Sequence, residues 1–326
     1  MAASQYLKIA SVLLVALICA FAIYLAIIVC LVNPYIEGHT WKQISNNLDI
    51  YESKTGTSEK IIYVLGNSQV MHDLDPAIVQ DAFTTENLTF RVYSVGVDDD
   101  TPLQRLIELQ KIIQTKPAMV ILGYSYTSFS NLTRYVPDDN LALLSGRIAL
   151  DQYSRSFYTK EQLALIDQNV VEQQIFKRKF IIPGIRTMLG IHLQERDNIV
   201  NDTMSDEQKN ILAKNPYDAF LAPVYQDDNN QKKAFVHLTG ELTQNNISVV
   251  YINMPLEPLR SATIPDSTRE NFYTFMNSTG VKNYDFEKRY AGNDFQDLVH
   301  QNRYGREKFS RDIAAVISSK VNGSAV

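Results

Sequence analysis

The chain has 326 residues, with 31 Lys and Arg against 36 Asp and Glu for a formal net charge of −5, and it is 45% hydrophobic and 21% charged. This balance describes a folded protein with a sizeable core and excludes a disordered or collagen-like chain. It also argues against a nucleic-acid partner, because Lys177-Arg178-Lys179 is the one basic run and reads as a solvated helix face.

From Ile9 to Val32 no charged residue occurs. As a helix this stretch spans roughly 36 Å, enough to cross a hydrocarbon core of about 30 Å. It reads as a transmembrane anchor over residues 1–33 that contacts the lipid bilayer through residues 9–32. A cleaved signal peptide is the rival reading, but its apolar region is shorter and no clear small-x-small site precedes Asn33-Pro34. Lys8 on one side, against Glu37, His39, Lys42 and Asp49 on the other, gives a weak bias that places the amino terminus in the cytoplasm and the large domain outside the cell membrane. Six Asn-x-Ser/Thr sequons, at Asn87, Asn131, Asn201, Asn246, Asn277 and Asn322, agree with an exported glycoprotein, although each triplet alone also arises by chance. Both cysteines, Cys19 and Cys30, lie inside the apolar stretch. The rest of the chain therefore has no thiol for a disulfide, a thiolate metal site or a cysteine nucleophile.

Residues 34–60 are polar and read as a juxtamembrane linker. The soluble domain, residues 61–326, opens with Ile61-Ile-Tyr-Val-Leu65, a buried strand breaking at Gly66-Asn67-Ser68. A helix follows from Asp75 to Phe83, with Asp75 as its cap and Pro76 in its first turn. Phe90 to Val95 is a second strand, ended by Gly96. Asp98-Asp99-Asp100 lacks the glycine and distal glutamate of a calcium loop and reads as a solvated turn. A helix from Pro102 to Gln114 and a third strand, Ala118 to Leu122, complete an alternation that means a parallel sheet covered on both faces. Residues 131–215 are polar, with helix-like pieces at 161–176 and 185–194, and read as a mostly helical insertion near the ligand-binding edge of the sheet. The pattern resumes with a helix near 231–245, a strand at 247–252, and helices near 268–278 and 304–319. The fold class is α/β, a three-layer α/β/α sandwich of flavodoxin-like type with an added membrane helix.

Ser68 directly follows a buried strand, where a tight turn lifts its hydroxyl to the carboxyl edge of the sheet; as a mere helix cap it would need no partner. A serine nucleophile needs a base. His300 stands in Asp297-Leu-Val-His300, close enough for the carboxylate of Asp297 to fold back on the imidazole. His72 reads as a surface histidine rather than a pocket wall, and His192 and His237 lack acidic neighbours at metal-ligand spacing. No metal or cofactor is expected, since neither a ligand cluster nor a glycine-rich phosphate loop is present.

The blocks Ile62-Tyr-Val-Leu-Gly-Asn-Ser68, Tyr93-Ser-Val-Gly96 and Asp297-Leu-Val-His300-Gln-Asn-Arg-Tyr-Gly305 resemble, in that order, those of the SGNH (GDSL-like) hydrolase superfamily. The likeness is strongest to its membrane-anchored branch, which acts in acyl modification of cell-surface polymers. It implies Ser68 as nucleophile, His300 as base, Asp297 as its orienting carboxylate, and the Gly96 and Ser68 amides as oxyanion donors. It further implies an esterase or O-acyltransferase acting on an acylated glycan or glycoconjugate. One block departs. Where the family has Gly-x-Asn-Asp, this chain has Gly123-Tyr124-Ser125-Tyr126. The missing asparagine leaves Ser125, Asn67 or a backbone amide as the substitute donor. The alternative is a non-catalytic surface protein of the same fold that binds glycan or a membrane-assembly partner.

Overall fold

The computed structural model describes residues 2–32, 40–86, 88–130, 137–188, 204–214 and 229–323. Five strands, β1 (Lys60–Gly66), β2 (Phe90–Gly96), β3 (Met119–Tyr124), β4 (Ser248–Asn253) and β5 (Lys282–Asp285), form one sheet in the order β2-β1-β3-β4-β5, every pair parallel. The chain leaves β1 toward β2 on one side and builds β3 to β5 on the other, so the crevice at the carboxyl end of β1 is the place where such sheets take ligands.

The helices, in chain order, are α1 (Ala2–Ile27), α2 (Thr40–Lys54), α3 (Ser68–Asp73), α4 (Pro76–Thr85), α5 (Pro102–Arg105), α6 (Leu109–Thr115), α7 (Asp138–Leu143), α8 (Gln152–Arg155), α9 (Lys160–Ile166), α10 (Val170–Lys177), α11 (Ile181–Met188), α12 (Asp206–Ala213), α13 (Asn230–Gln244), α14 (Pro258–Ala262), α15 (Asp266–Ser278) and α16 (Arg303–Gly323). Alternation along the strands sorts the core into two halves. Ile61, Tyr63, Leu65, Val120, Leu122 and Tyr251 face Leu48 of α2, Leu106, Ile112 of α6, and Phe235 and Leu238 of α13. Ile62, Val64, Ile121 and Ile252 face Val79 and Phe83 of α4 and Phe309, Ile313 and Ile317 of α16. The molecule is thus the three-layer α/β/α sandwich expected.

Several expectations change. Residues 34–60, read as a linker, contain α2, whose Ile44, Leu48 and Tyr51 are completely buried at helical spacing against the sheet. The expected helix from 102 to 114 is split into α5 and α6. Leu106, Ile107 and Glu108 each donate a backbone bond three residues back, and this tighter turn brings Arg105 over Glu108. Asp100, placed in a solvated turn, is buried at 1% exposure: the Arg105 guanidinium, itself buried, binds it, and Tyr124 Oη donates to it at 3.1 Å. These partners all meet Oδ2 and offset only part of the cost of burial, which still pushes the Asp100 carboxyl up to about 7. Asp98 exchanges two hydrogen bonds with the Gln43 side chain of α2. β5 was not expected.

The described part of 131–215 is helical, and Leu141, Leu144, Tyr158 and Ile166 from it belong to the main core. The piece expected at 161–176 is two helices, because Asn169 caps the start of α10 in a capping box with Glu172. Of the piece expected at 185–194, α11 covers the start and residues 189–194 lie outside the described residues, as do His192 and the sequon residues Asn87, Asn131 and Asn201. Asn246 and Asn277 are exposed.

The apolar stretch Ile9–Val32 is one helix long and apolar enough to cross a membrane, with a mean hydropathy of 3.2. It ends in a wider turn, Ile28–Val32, and that end is not free: Ile28 and Val32 are buried against Ala142, Leu143 and Phe176.

Candidate active site

Three glycines at the carboxyl edge explain how the nucleophile turn is seated. Gly66 pairs with Gly96 on one side and with Gly123 on the other, forming a bare row across β2, β1 and β3. α3 lies directly on this row. A Cβ at Gly96 would stand 2.7 Å from Met71 N, one at Gly123 2.6 Å from Val70 Cγ2, and one at Gly66 2.1 Å from Gly123 O. Only glycine permits backbone to approach this closely. Asn67 then caps α3 by accepting from Gln69 N at 3.0 Å, which leaves Ser68 as the first residue of the helix.

The histidine arrives on the loop between β5 and α16. This loop closes on itself through Gln296 N to His300 O at 3.0 Å and Asn302 N to Asp294 O at 2.9 Å. Asn302 caps the start of α16 by accepting from Tyr304 N and Gly305 N, and Gly305 is needed because a Cβ there would meet Asp294 O at 2.2 Å. Asp297 folds back as its spacing suggests: Oδ1 accepts from Val299 N and His300 N, and Oδ2 sits 2.8 Å from His300 Nδ1. On the far side of the ring, His300 Nε2 is 3.0 Å from Ser68 Oγ. With Nδ1–H donated to Asp297, Nε2 is free to accept the serine proton.

Opposing forces set the protonation of this pair. Burial lowers the pKa of His300, but the hydrogen bond and charge of Asp297 outweigh it, and the net shift is upward. Burial raises that of Asp297, while His300 and two backbone N–H groups pull it down, and the net shift is downward.

α3 also grips both neighbours of His300. Gln69 Nε2 donates to Val299 O at 3.1 Å and to Pro255 O at 2.8 Å, and Asp73 Oδ1 accepts from Gln301 N at 2.8 Å. The two side chains sit four residues apart, on one helix face. Burial pushes the Asp73 carboxyl up to about 8, partly offset by the charge of His300 and the Gln301 N–H. His72, expected at the surface, is half-buried with its ring 5.2 Å from that of His300, edge to face. Burial first, then the His300 charge, lowers its pKa. From behind, Lys209 of α12 donates to Gly292 O and Phe295 O, so the insertion braces the loop that carries the histidine.

The candidate oxyanion residues divide. Gly96 lies beside α3 in the glycine row. Asn67 is committed at both ends, its Nδ2 donating to Ser128 Oγ at 3.3 Å. Ser125 is buried and its Oγ is 3.1 Å from Thr127 Oγ1. His237 hydrogen-bonds Asp151, 86 residues earlier in the chain, at 3.0 Å. Among the described residues no group of three or more His, Cys, Asp or Glu is arranged to hold a metal ion.

No protein-family model matches the chain, and no curated protein matches it in sequence. Solved structures are similar to it in fold alone. In fold the chain is similar to an SGNH-hydrolase family esterase, AlinE4, at 13% identity over 81% of this chain and 97% of that one, with a TM-score of 0.34. It is similar likewise to a lipase/acylhydrolase from Enterococcus faecalis, at 12% identity over 80% and 96% of the two chains with a TM-score of 0.42. An acetyl xylan esterase, AlAXEase, aligns at 9% identity over 79% and 99%, with a TM-score of 0.41. The chemistry rests on the chain's own geometry.

Proposed function

We propose that this chain is a membrane-anchored SGNH-type serine esterase or O-acyltransferase acting on acyl esters of a cell-surface glycan or glycoconjugate. One observation carries the catalytic part: a continuous relay from Ser68 Oγ through His300 to Asp297, with contacts of 3.0 and 2.8 Å. Ser68 Oγ attacks the ester carbonyl while His300 Nε2 takes its proton, and the resulting tetrahedral oxyanion is held by the Ser68 and Gly96 amides. The C–O bond to the leaving alcohol breaks as His300 returns the proton to it. Water, or a sugar hydroxyl, then gives its proton to His300 and attacks the acyl-serine, regenerating Ser68. Hydrolysis and transfer differ only in that acceptor.

Anchoring is supported by the apolar helix, and its retention by the packing of Ile28 and Val32 on the domain, since a cleaved leader would strip that contact. The outward orientation follows the charge bias around the helix and the exposed sequons at Asn246 and Asn277. The glycan substrate comes from the family resemblance.

The test treats the full chain, in detergent micelles, with a fluorophosphonate probe and an aryl acetate. Wild type is expected to be labelled and to turn over, with Ser68→Ala and His300→Ala losing label and on the order of 10³-fold or more in rate. Equal labelling of Ser68→Ala would remove Ser68 as nucleophile. A folded protein that takes no label would be a binding protein on this fold, as the serine at position 125 would then explain.

A further inference from the structure

The emergent end of the apolar helix is wrapped by α10 and α11. Tyr24 Oη donates to Gln174 O at 2.6 Å, and Phe176, Phe180 and Ile181 pack with Ile28 and Val32. The backbones touch, since a Cβ at Gly184 of α11 would lie 2.5 Å from Leu31 O. The other side of this helical pair is apolar and open. Outside the apolar helix, ten large apolar side chains are exposed among the described residues, and five of them fall here: Val170, Val171, Ile175, Ile182 and Ile185, at 37 to 73% exposure. Arg178, Lys179 and Arg186 are exposed among them, with Lys179 Nζ 4.1 Å over the Phe176 ring, while Lys177 is half-buried; none of the four forms an ion pair among the described residues, and Glu172 of α10 is the exposed carboxylate beside them.

The level of this surface relative to a bilayer follows from the helix it grips. Ile9–Val32 is roughly 6 Å longer than a hydrocarbon core of about 30 Å. Residues 28–32 therefore emerge at the boundary between acyl chains and headgroups, and α10 and α11 are fixed to those residues. Exposed aliphatic side chains with basic residues among them are what an interfacial helix presents at that depth: the apolar groups enter the acyl boundary while Lys and Arg reach the phosphates. Left in water, the same patch would be a liability.

We propose that α10 and α11 form a second membrane attachment, lying in the phospholipid interface beside the anchor and fixing the tilt of the domain on the bilayer. This rests on reading Ile9–Val32 as a membrane anchor. The occupant is lipid, because the patch adjoins the apolar helix Ile9–Val32, which is exposed on nearly all sides, and its exposed Arg178, Lys179 and Arg186 suit anionic headgroups.

Full-length protein with Cys19→Ala and Cys30→Ala, in phosphatidylcholine and phosphatidylglycerol vesicles, would carry a single bimane label at Ile175→Cys or Ile182→Cys. Ile18→Cys reports the anchor and Val236→Cys a water-facing control. Labels at 175 and 182 are expected to shift to the blue, to be quenched by nitroxides on shallow lipid positions and to be shielded from aqueous iodide, while 236 shows the reverse. If 18 is quenched by deep nitroxides but 175 and 182 behave like 236, the second attachment is wrong and the anchor stands. Shielding from iodide without nitroxide quenching would mean that protein covers the patch, which also overturns the proposal. If 18 itself escapes the lipid nitroxides, the anchor reading fails and this one with it.

Discussion

His300 acts as a base only while Nε2 carries no proton, so the forces on its ring set the pH range of the reaction. Asp297 raises the pKa of His300 more than burial lowers it. The acid limb of kcat/KM is therefore expected above the ordinary imidazole value of about 6.5. In Asp297→Asn the burial remains and the raising charge is gone, so the limb moves to lower pH. The plateau rate also falls, on the order of 10³- to 10⁴-fold, because the ring loses the partner that fixes its tautomer. A pH–rate profile of both proteins with an aryl ester checks this, and an unmoved limb would mean that Asp297 does not act on the ring. Asp73 is the opposite case, a carboxyl pushed up to about 8 chiefly by burial. Its folded pKa exceeds the unfolded one, so the native state holds the extra proton and stability falls as pH rises from about 4 to about 8. Asp73→Asn is neutral throughout and keeps an oxygen for the Gln301 N–H. Its melting temperature is expected to gain on wild type across that window and to run parallel outside it; a constant difference from pH 4 to 9 would contradict a protonated Asp73.

At the scale of elements, the site is a short helix laid on three glycines. Gly66→Ala places a methyl 2.1 Å from a backbone oxygen that has no room to yield. It is expected to cost about 1–3 kcal/mol or more, and to slow fluorophosphonate labelling by moving Ser68. Gly240 offers the matched comparison, since it lies inside α13 with nothing within 4 Å of an added Cβ. Gly240→Ala is expected to stabilise by about 0.5–1 kcal/mol with labelling unchanged. Thermal melts and labelling rates of the two variants read this directly. Such glycines also show what a sequence makes legible. β1, β3 and β4 are compact apolar runs and β2 a β-branched and aromatic one broken by Arg91 and Ser94, each stopped at or near its carboxyl end by a glycine or Asn253, and those are the four strands the pattern revealed. β5, Lys-Asn-Tyr-Asp, is a short, half-exposed edge strand with no apolar run to mark it. Ser68, Asp297 and His300 could be found because a turn after a strand and a three-residue spacing are local facts. Gln69 and Asp73 could not, because what buries them is a loop 230 and 228 residues away. The same holds for Asp100, whose acidic neighbours suggest solvent until Arg105 turns inward.

For the whole molecule, the packing moves the boundary of the domain toward the amino terminus. α2 is part of the sandwich: Ile44, Leu48 and Tyr51 lie in the main core, and Tyr51 Oη donates to Glu108 at 2.9 Å, joining the buried cluster of Asp100 and Arg105. The end of the apolar helix is attached differently, through a small satellite cluster with Ala142, Leu143 and Phe176. Truncation separates the two roles. A fragment of residues 56–326 lacks α2, opens one face of the core and strands Glu108 without its tyrosine, so it is expected not to fold. A fragment of residues 40–326 keeps the sandwich and the Ser68–His300 contact, so it is expected to fold and to take the fluorophosphonate label. It loses the cover that Ile28 and Val32 provide, each worth at most roughly 1.5–3 kcal/mol of apolar burial. The uncovered cluster then joins the exposed patch on α10 and α11 into one larger apolar surface, and the fragment is expected to melt lower than the full chain and to self-associate with rising concentration. Sedimentation velocity and thermal melts across a concentration series distinguish the outcomes. A monomeric 40–326 fragment as stable as the full chain would mean that the helix end rests on the domain without contributing to it, and a folded, labelled 56–326 fragment would restore residues 40–54 to the status of a linker.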